Sequence, residues 1–183
     1  VFVKLSIHPV RYHPETNLIE YIDDVNIDIS YKSKTVNTFA AKDETFQLLI
    51  LSAPEFSSAM NPLVNHKINT MNLSTKLVTT TEVYSGAYFD TEGRDYQEQI
   101  KYFIKNAIEQ WDTKYVMFVG GAEYFPTRET HVYVNYNEGD DEIFVTDLYF
   151  ADIYDETGNF SSWDTNGNSV FGEFDWNGKN DDV

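Results

Sequence analysis

The sequence predicts an α/β fold: a three-layer parallel sheet preceded by a β-hairpin segment. Three observations carry this. Residues 46–51 (FQLLIL) and 115–119 (YVMFV) are apolar runs too short for helices, which reads as strands buried on both faces. Between them, Ile100, Phe103, Ile104, Ala107, Ile108 and Trp111 recur at spacings of three, four and seven, one buried stripe along a helix. The links are short, so the order is strand, helix, strand, helix, strand.

Residues 1–45 read as a β-rich segment and linker. Val1, Val3, Leu5 and Ile7 alternate with other residues, as do Val25, Ile27, Ile29 and Tyr31, predicting two strands. Pro14-Glu15-Thr16-Asn17 between them has turn chemistry. Residues 32–45 are polar and form the linker.

The α/β subdomain occupies 46–183. Its first strand runs into Ser52-Ala53-Pro54, with the proline in the first turn of a helix. Met60, Leu63, Val64 and Ile68 give that helix its apolar face, and Pro62 is expected to divide it. Leu77-Val78 and the threonines after them predict a second strand ending at Glu82-Val83-Tyr84. Asp95 caps the central helix, with Glu98 three positions on as in a capping box. Residues 131–136 and 142–145 flank Asn-Glu-Gly-Asp-Asp and predict a hairpin. Residues 144–153 (FVTDLYFADI) predict a fourth core strand carrying two acids. Beyond Tyr154 there is little core-forming pattern.

At 183 residues the chain can build one good core. A formal net charge of −17 excludes a nucleic-acid backbone as partner, which needs a basic stripe. No run approaches the roughly 20 apolar residues of a membrane span. Cysteine is absent, so this sequence encodes neither a disulfide nor a thiol nucleophile. Residue 1 is Val and already sits in an alternating pattern, so a processed product or an excised piece is expected. Residues 137–183 hold thirteen acids and one basic residue, Lys179. That is either a solvated acidic face or a place for divalent cations.

In WDTNGNSVFGEFD, Asp164, Asn166 and Asn168 alternate as positions one, three and five of a calcium loop. The Val170 carbonyl then falls at seven and Asp175 at twelve, with Glu173 a competing ligand. A structural calcium ion is the expectation, against an Asn/Gly-rich turn with no metal. Gly120-Gly121 reads as a tight strand exit, since no phosphate-binding glycine motif is present. The four histidines show no metal-ligand spacing and read as surface or packing residues. Asp147 and Asp152 lie near a strand end, and Glu129 follows the Gly120-Gly121 exit. A carboxylate there holds a cation or a basic side chain, or else caps a strand or pairs with a neighbour.

Together these segments resemble the gingipain-type cysteine peptidases. The stretches are FQLLIL, PLVNHK before KLVTTTEVY, GRDYQEQIKYFIKNAIEQW, KYVMFVGG with Pro126-Thr127-Arg128, and VTDLYFADI followed by WDTNGNSVFGEFD. Their order and spacing match from about Phe46 to Asp175. The resemblance implies a caspase-like fold, with the reactive thiol and its histidine on strands beyond Val183. It implies that Asp147 falls where arginine-selective relatives read the substrate's basic side chain. Glu129 lies close to an acid that orients the histidine, and the Asn/Asp loop looks like a cation-stabilised segment. Residues 1–45 look like the end of a pro-segment. The expected whole is a secreted or surface endopeptidase acting on peptide or protein substrates, of which this chain is the amino-terminal subdomain, inactive without its partner subdomain. The alternative is a noncatalytic calcium-binding surface module of the same fold.

Overall fold

A computed structural model describes residues 9–27, 44–134 and 140–181. The chain divides into two compact units, Val1–Thr38 and Phe39–Val183. In the first, β1 (Val10–His13) pairs antiparallel with β2 (Leu18–Tyr21). The turn is the expected Pro14–Asn17 stretch, with Asn17 at φ 53 and its side chain accepting from the Tyr12 hydroxyl. The strands flank that turn directly. The strand expected at 1–7 lies outside the described residues, and Val25 and Ile27 are not in a strand. Turn chemistry fixed this hairpin's register more strongly than the flanking apolar alternation did.

The second unit holds a three-stranded parallel sheet in the order β4-β3-β5. Its strands are β3 (Leu48–Ser52), β4 (Thr75–Thr79) and β5 (Tyr115–Val119). β3 is buried throughout, as expected of a central strand between two helical layers. β5 corrects the reading of a strand buried on both faces. It is an edge strand among the described residues, and Tyr115 and Met117 on its outer face are exposed.

A 3-10 turn (Pro54–Phe56) leads into α1 (Ser57–Met71), which links β3 to β4. Pro62 does not divide this helix. Its ring removes the hydrogen bond to the Ser58 carbonyl, and the Asn61 side chain donates to that same carbonyl at 3.2 Å. α1 buries no residue fully; Met60, Leu63 and Val64 are half-buried.

Residues 80–84, expected to end a strand, form a short helix, α2 (Thr80–Tyr84). The cause is a capping box: Thr79 N–H donates to Glu82 Oε2 at 2.7 Å, and Glu82 N–H donates to Thr79 Oγ1. The T-x-x-E signature outweighs β-branched propensity here.

α3 (Tyr96–Trp111) is the central helix. Ile100, Phe103, Ile104, Ala107 and Trp111 are buried against Leu49, Leu51 and Val78, with Ile108 packed at the margin. Each large apolar side chain so buried contributes about 1.5–3 kcal/mol. Asp95 caps it as expected, accepting from Glu98 N–H at 2.8 Å. The reciprocal bond is shifted by one residue: Glu98 Oε2 accepts from Arg94 N–H rather than Asp95 N–H. Crossovers β3-α1-β4 and β4-α3-β5 run in opposite directions along the sheet. Right-handed connection then places α1 and α3 on opposite faces.

β6 (Arg128–Val134) and β7 (Asp140–Thr146) form the expected antiparallel hairpin, and β8 (Glu173–Phe174) joins β6 in parallel. The fourth core strand over 144–153 is not formed. β7 ends at Thr146 and α4 (Leu148–Ala151) follows. A strand would send Tyr149 and Phe150 to opposite faces; the helical turn buries both. The segment after Tyr154 also contributes more than expected, placing Trp163 and Phe171 in the core. No helix among the described residues is long and apolar enough to cross a membrane.

Lys101, on α3, is fully buried and its ammonium has no hydrogen-bond partner among the described residues. It lies over the rings of Tyr149 at 4.1 Å, Phe160 at 5.5 Å and Trp163 at 5.6 Å. Burial drives its pKa down to about 7, Asp152 and Glu98 pull it up, and Arg128 pushes it down. An unfolded lysine titrates near 10.4. Between about pH 7 and 10 the unfolded chain therefore binds the extra proton, and stability rises with pH. Lys101→Met removes that slope and raises stability at pH 7 by about 1 kcal/mol. Urea midpoints at pH 7 and pH 9 measure both effects; an unchanged difference between the two pH values in the variant contradicts the assignment.

Candidate functional site

The site is built where the chain leaves the carboxyl end of the parallel sheet, the usual place for function in this class. β5 exits through Gly120, which sits at φ +130, a conformation that disfavours other residues. A Cβ there would lie 3.4–3.7 Å from those of Tyr124, Phe125 and Ala53. The Gly121 carbonyl then accepts from Tyr124 and Phe125 N–H at 2.9 Å, closing a tight turn. The expected strand exit is present.

From that turn the chain enters β6 through Arg128. Its guanidinium donates to both oxygens of Asp95, Nη1 to Oδ2 at 2.9 Å and Nη2 to Oδ1 at 2.8 Å. It stacks on Phe171 at 3.6 Å and on Tyr149 at 4.6 Å. Burial pushes Asp95 up, but the Arg128 hydrogen bonds and the Glu98 N–H hold its pKa below the usual value. Burial pushes the Tyr149 phenol up to about 12, with Arg128 pulling the other way.

Asp147 occupies the N-cap position of α4, yet its side chain makes no cap hydrogen bond; Leu148 N–H donates to Thr146 Oγ1 instead. The carboxylate is exposed on a cavity of about 260 Å³, walled by Gly120, Gly121, Phe118, Phe125 and Val145. Glu129, exposed on β6, lines a groove of about 650 Å³ with His131. Ala122 and Thr127 line both cavities, so the two adjoin. The structure thus brings Asp147 and Glu129 to one surface. Asp152 is elsewhere: its Oδ2 accepts from Ser161 Oγ and Trp163 Nε1, a structural role.

Sequence reasoning missed His131 as a member of this surface. The signal was its position two residues after Glu129 in one strand, which puts both on one face. His13 bonds Glu20 and His66 is exposed, as expected. His8 lies outside the described residues. The Arg128–Asp95 clamp was also missed, since a pair 33 residues apart leaves no periodic trace.

The Asp164–Asp175 loop is arranged differently from the calcium-loop pattern. Asp164 Oδ2 is bonded by Arg94 Nη1, and its Oδ1 accepts from Asn168 and Ser169 N–H. Glu173, fully buried, accepts from the Asn166 and Asn168 amides at 2.6 and 2.8 Å. The Val170 N–H donates to Asn168 Oδ1. Asp175, at φ 53, has its N–H on Asn180 and sits outside this network. Oxygen-bearing side chains therefore gather around Glu173 rather than between Asp164 and Asp175. Among the described residues no group of three or more His, Asp or Glu side chains is placed to hold a metal ion. The set fits a calcium loop only in part, through Asn166, Asn168 and Glu173.

Arg94 joins this loop to α3: it also bonds Glu98, stacks on Phe171 and has its pKa raised chiefly by the Glu98 hydrogen bonds. Asp164 is buried, so Arg94→Ala strands a carboxylate. The expected cost is about 2 kcal/mol, less than for a fully buried pair because Arg94 is half exposed. Arg94→Ala combined with Asp164→Asn restores part of that loss. Denaturant unfolding of the two variants checks it, and equal losses in both remove the pairing from the argument.

No curated protein and no solved structure matches the chain. The family model for peptidase family C25 matches residues 41–172, spanning β3 to the Arg94-bound loop and covering the Asp147 and Glu129 cavities. With its caspase-like parallel sheet, this chain belongs to peptidase family C25, the gingipain-type cysteine peptidases.

Proposed function

We propose that this chain is the amino-terminal, substrate-reading subdomain of a secreted or surface gingipain-like cysteine endopeptidase, without activity alone. The observation that carries the reading is an acid-rimmed cavity at the carboxyl end of the sheet, in a sequence with no cysteine. The Asp147 carboxylate has no hydrogen bond or ion pair among the described residues, so its charge is free for a ligand. A lysyl or arginyl side chain fits: its head group meets the carboxylate while its aliphatic stem lies against Phe118, Phe125 and Val145. Glu129 supplies the neighbouring negative charge.

In the whole enzyme a thiolate from outside this sequence attacks the peptide carbonyl. A C–S bond forms, the C–N bond breaks, and the amine leaves protonated; water then hydrolyses the acyl-enzyme. This chain's part is to seat the side chain preceding the scissile bond. The edge of β5, unpaired among the described residues and with Tyr115 and Met117 exposed beside it, supports a place for the remaining catalytic subdomain. Residues 1–45 are the end of a pro-segment on this reading. Location outside the cell rests on the family resemblance and is checked by fractionation. The purified chain is expected to leave arginyl and lysyl peptides uncleaved; thiol-reagent-sensitive hydrolysis by it sinks the proposal.

One observation favours a second reading, the noncatalytic calcium-binding surface module. Glu173 is a buried carboxylate whose side-chain partners are neutral amides. A calcium ion would be held by Glu173, Asn166 and Asn168, with Asp164 remaining on Arg94, and would stabilise the loop. At a hundredfold excess over Kd it raises stability by about 2.7 kcal/mol. A calcium titration followed by thermal melting tests this. On this reading the midpoint rises in the native chain and stays fixed in Glu173→Gln; a flat titration in both removes calcium.

A further inference from the structure

Lys101 is roofed by a stretch of chain with little hold on the rest of the molecule. Ile153 and Trp163 are each 4% exposed and anchor its two ends in the core. Residues 154–162 between them form neither helix nor strand, apart from a bridge between Tyr154 and Phe160. Ser161 N–H donates to the Ile153 carbonyl at 3.0 Å and closes the base of this strap. Phe160 stacks on Tyr102 of α3 at 4.0 Å, and the Tyr154 hydroxyl donates to Glu109 Oε1 of the same helix at 3.1 Å.

Hydrating the buried ammonium requires one of its covers to move. Its rings belong to Tyr149 on α4, Trp163 at the strap's anchored end and Phe160 within the strap. Tyr149 is fully buried, stacks with Arg128 and packs edge-on against Trp163. Phe160 is only half-buried. Moving Phe160 therefore sacrifices the least contact, and it leaves α3 and the parallel sheet in place. Segments with few buried contacts open at free energies well below that of global unfolding.

The groups around Lys101 set how this opening responds to protons. Asp152, after α4, and Glu98, on α3, favour the ammonium, whereas Arg128, at the start of β6, opposes it. Tyr149 stays neutral, its phenol pushed up to about 12 by burial. Under the closed strap burial drives the lysine down to about 7, against about 10.4 in water. Between those values the open form binds the extra proton. Opening is thus favoured as pH falls from about 10 to about 7, and no further below that.

We infer that residues 154–162 are a pH-dependent strap over α3, which lifts to hydrate Lys101 while the parallel sheet stays folded. Ile153 remains in the core, so lifting Phe160 separates Ser161 N–H from the Ile153 carbonyl. That amide reports the opening.

Amide exchange of the purified chain, read residue by residue by NMR as protection relative to an unstructured chain, tests it. Ser161 is expected to be less protected than Ile50 of β3 at every pH. Its protection rises about tenfold from pH 8 to pH 9. Lys101→Met raises Ser161 protection at pH 8 and removes its pH dependence. Phe160→Ala lowers Ser161 protection and leaves that of Ile50 unchanged. Equal protection at the two amides, or a loss at both in Phe160→Ala, means that Lys101 meets water only when the whole chain unfolds, and overturns the strap. So does a pH dependence that is absent from the native chain or persists in Lys101→Met.

Discussion

The site depends on a guanidinium that is almost entirely out of water. Arg128 is buried at the start of β6, and the desolvation of such a charge is tolerable only with a well-placed counter-ion. Asp95 provides it bidentately, and the same carboxylate caps α3 by accepting from Glu98 N–H. Phe171 and Tyr149 close the two sides. One side chain thus joins the amino end of α3, the start of β6, α4 and the carboxyl-terminal segment, four pieces with little periodic connection in sequence. With Arg128 and Thr130 turned inward and buried, alternation sends Glu129 and His131 to the other face. The exposed acids are where they are because the buried arginine is where it is.

The same layer explains the charge distribution. Of thirteen lysines and arginines in the chain, Arg94, Lys101 and Arg128 are committed to the contact between α3 and the aromatic residues of α4 and the carboxyl-terminal segment. Tyr149 carries Lys101 at 4.1 Å and Arg128 at 4.6 Å from its ring centre. Glu98, Asp95 and Asp164 are consumed as partners of the two arginines. Basic residues used inside are not available outside, and among the described residues of this stretch Glu142, Asp147, Glu156 and Asp175 stay exposed. A surface of that kind attracts cationic ligands and repels anionic ones.

What could be read from the sequence was whatever repeats along the chain. The α3 stripe, the buried first strand, the Asp95 cap and the hairpin at β6–β7 follow from local period and cap chemistry. Failures came where local signals competed or contacts were long-range. Pro62 reads as a breaker until Asn61 is seen to satisfy the Ser58 carbonyl. FVTDLYFADI reads as a strand because its composition fits one, but two adjacent aromatics needed the same side. β5 reads as buried on both faces, since its composition says nothing of which strands lie beside it. For the site, Asp147 and Glu129 were named, whereas His131 and Arg128 required the fold. The calcium-loop spacing was legible, but Arg94, 70 residues upstream, meets its first position and no spacing rule reveals that.

Recognition and chemistry are separable in this architecture for a physical reason. On the proposed reading, recognising a basic side chain needs only fixed negative charge on a rigid frame, which Asp147 after a strand end and Glu129 within a strand would supply. Attack on a carbonyl needs an activated nucleophile placed to about half an ångström against that same frame. A sequence without cysteine cannot supply the thiol, whatever its fold. The sheet nonetheless offers a third strand whose outer edge is unpaired among the described residues and whose outer face is partly apolar. An edge of that kind is stable in water only when short, charged or covered, and β5 is short but carries Tyr115, Met117 and no charge. On the proposed reading the strand that covers β5 would fix the nucleophile relative to Gly120 and Gly121, which leave the end of β5 and wall the Asp147 cavity. Positional accuracy between the two halves would come from backbone register rather than from side-chain contacts, and register in a sheet changes only in whole residues.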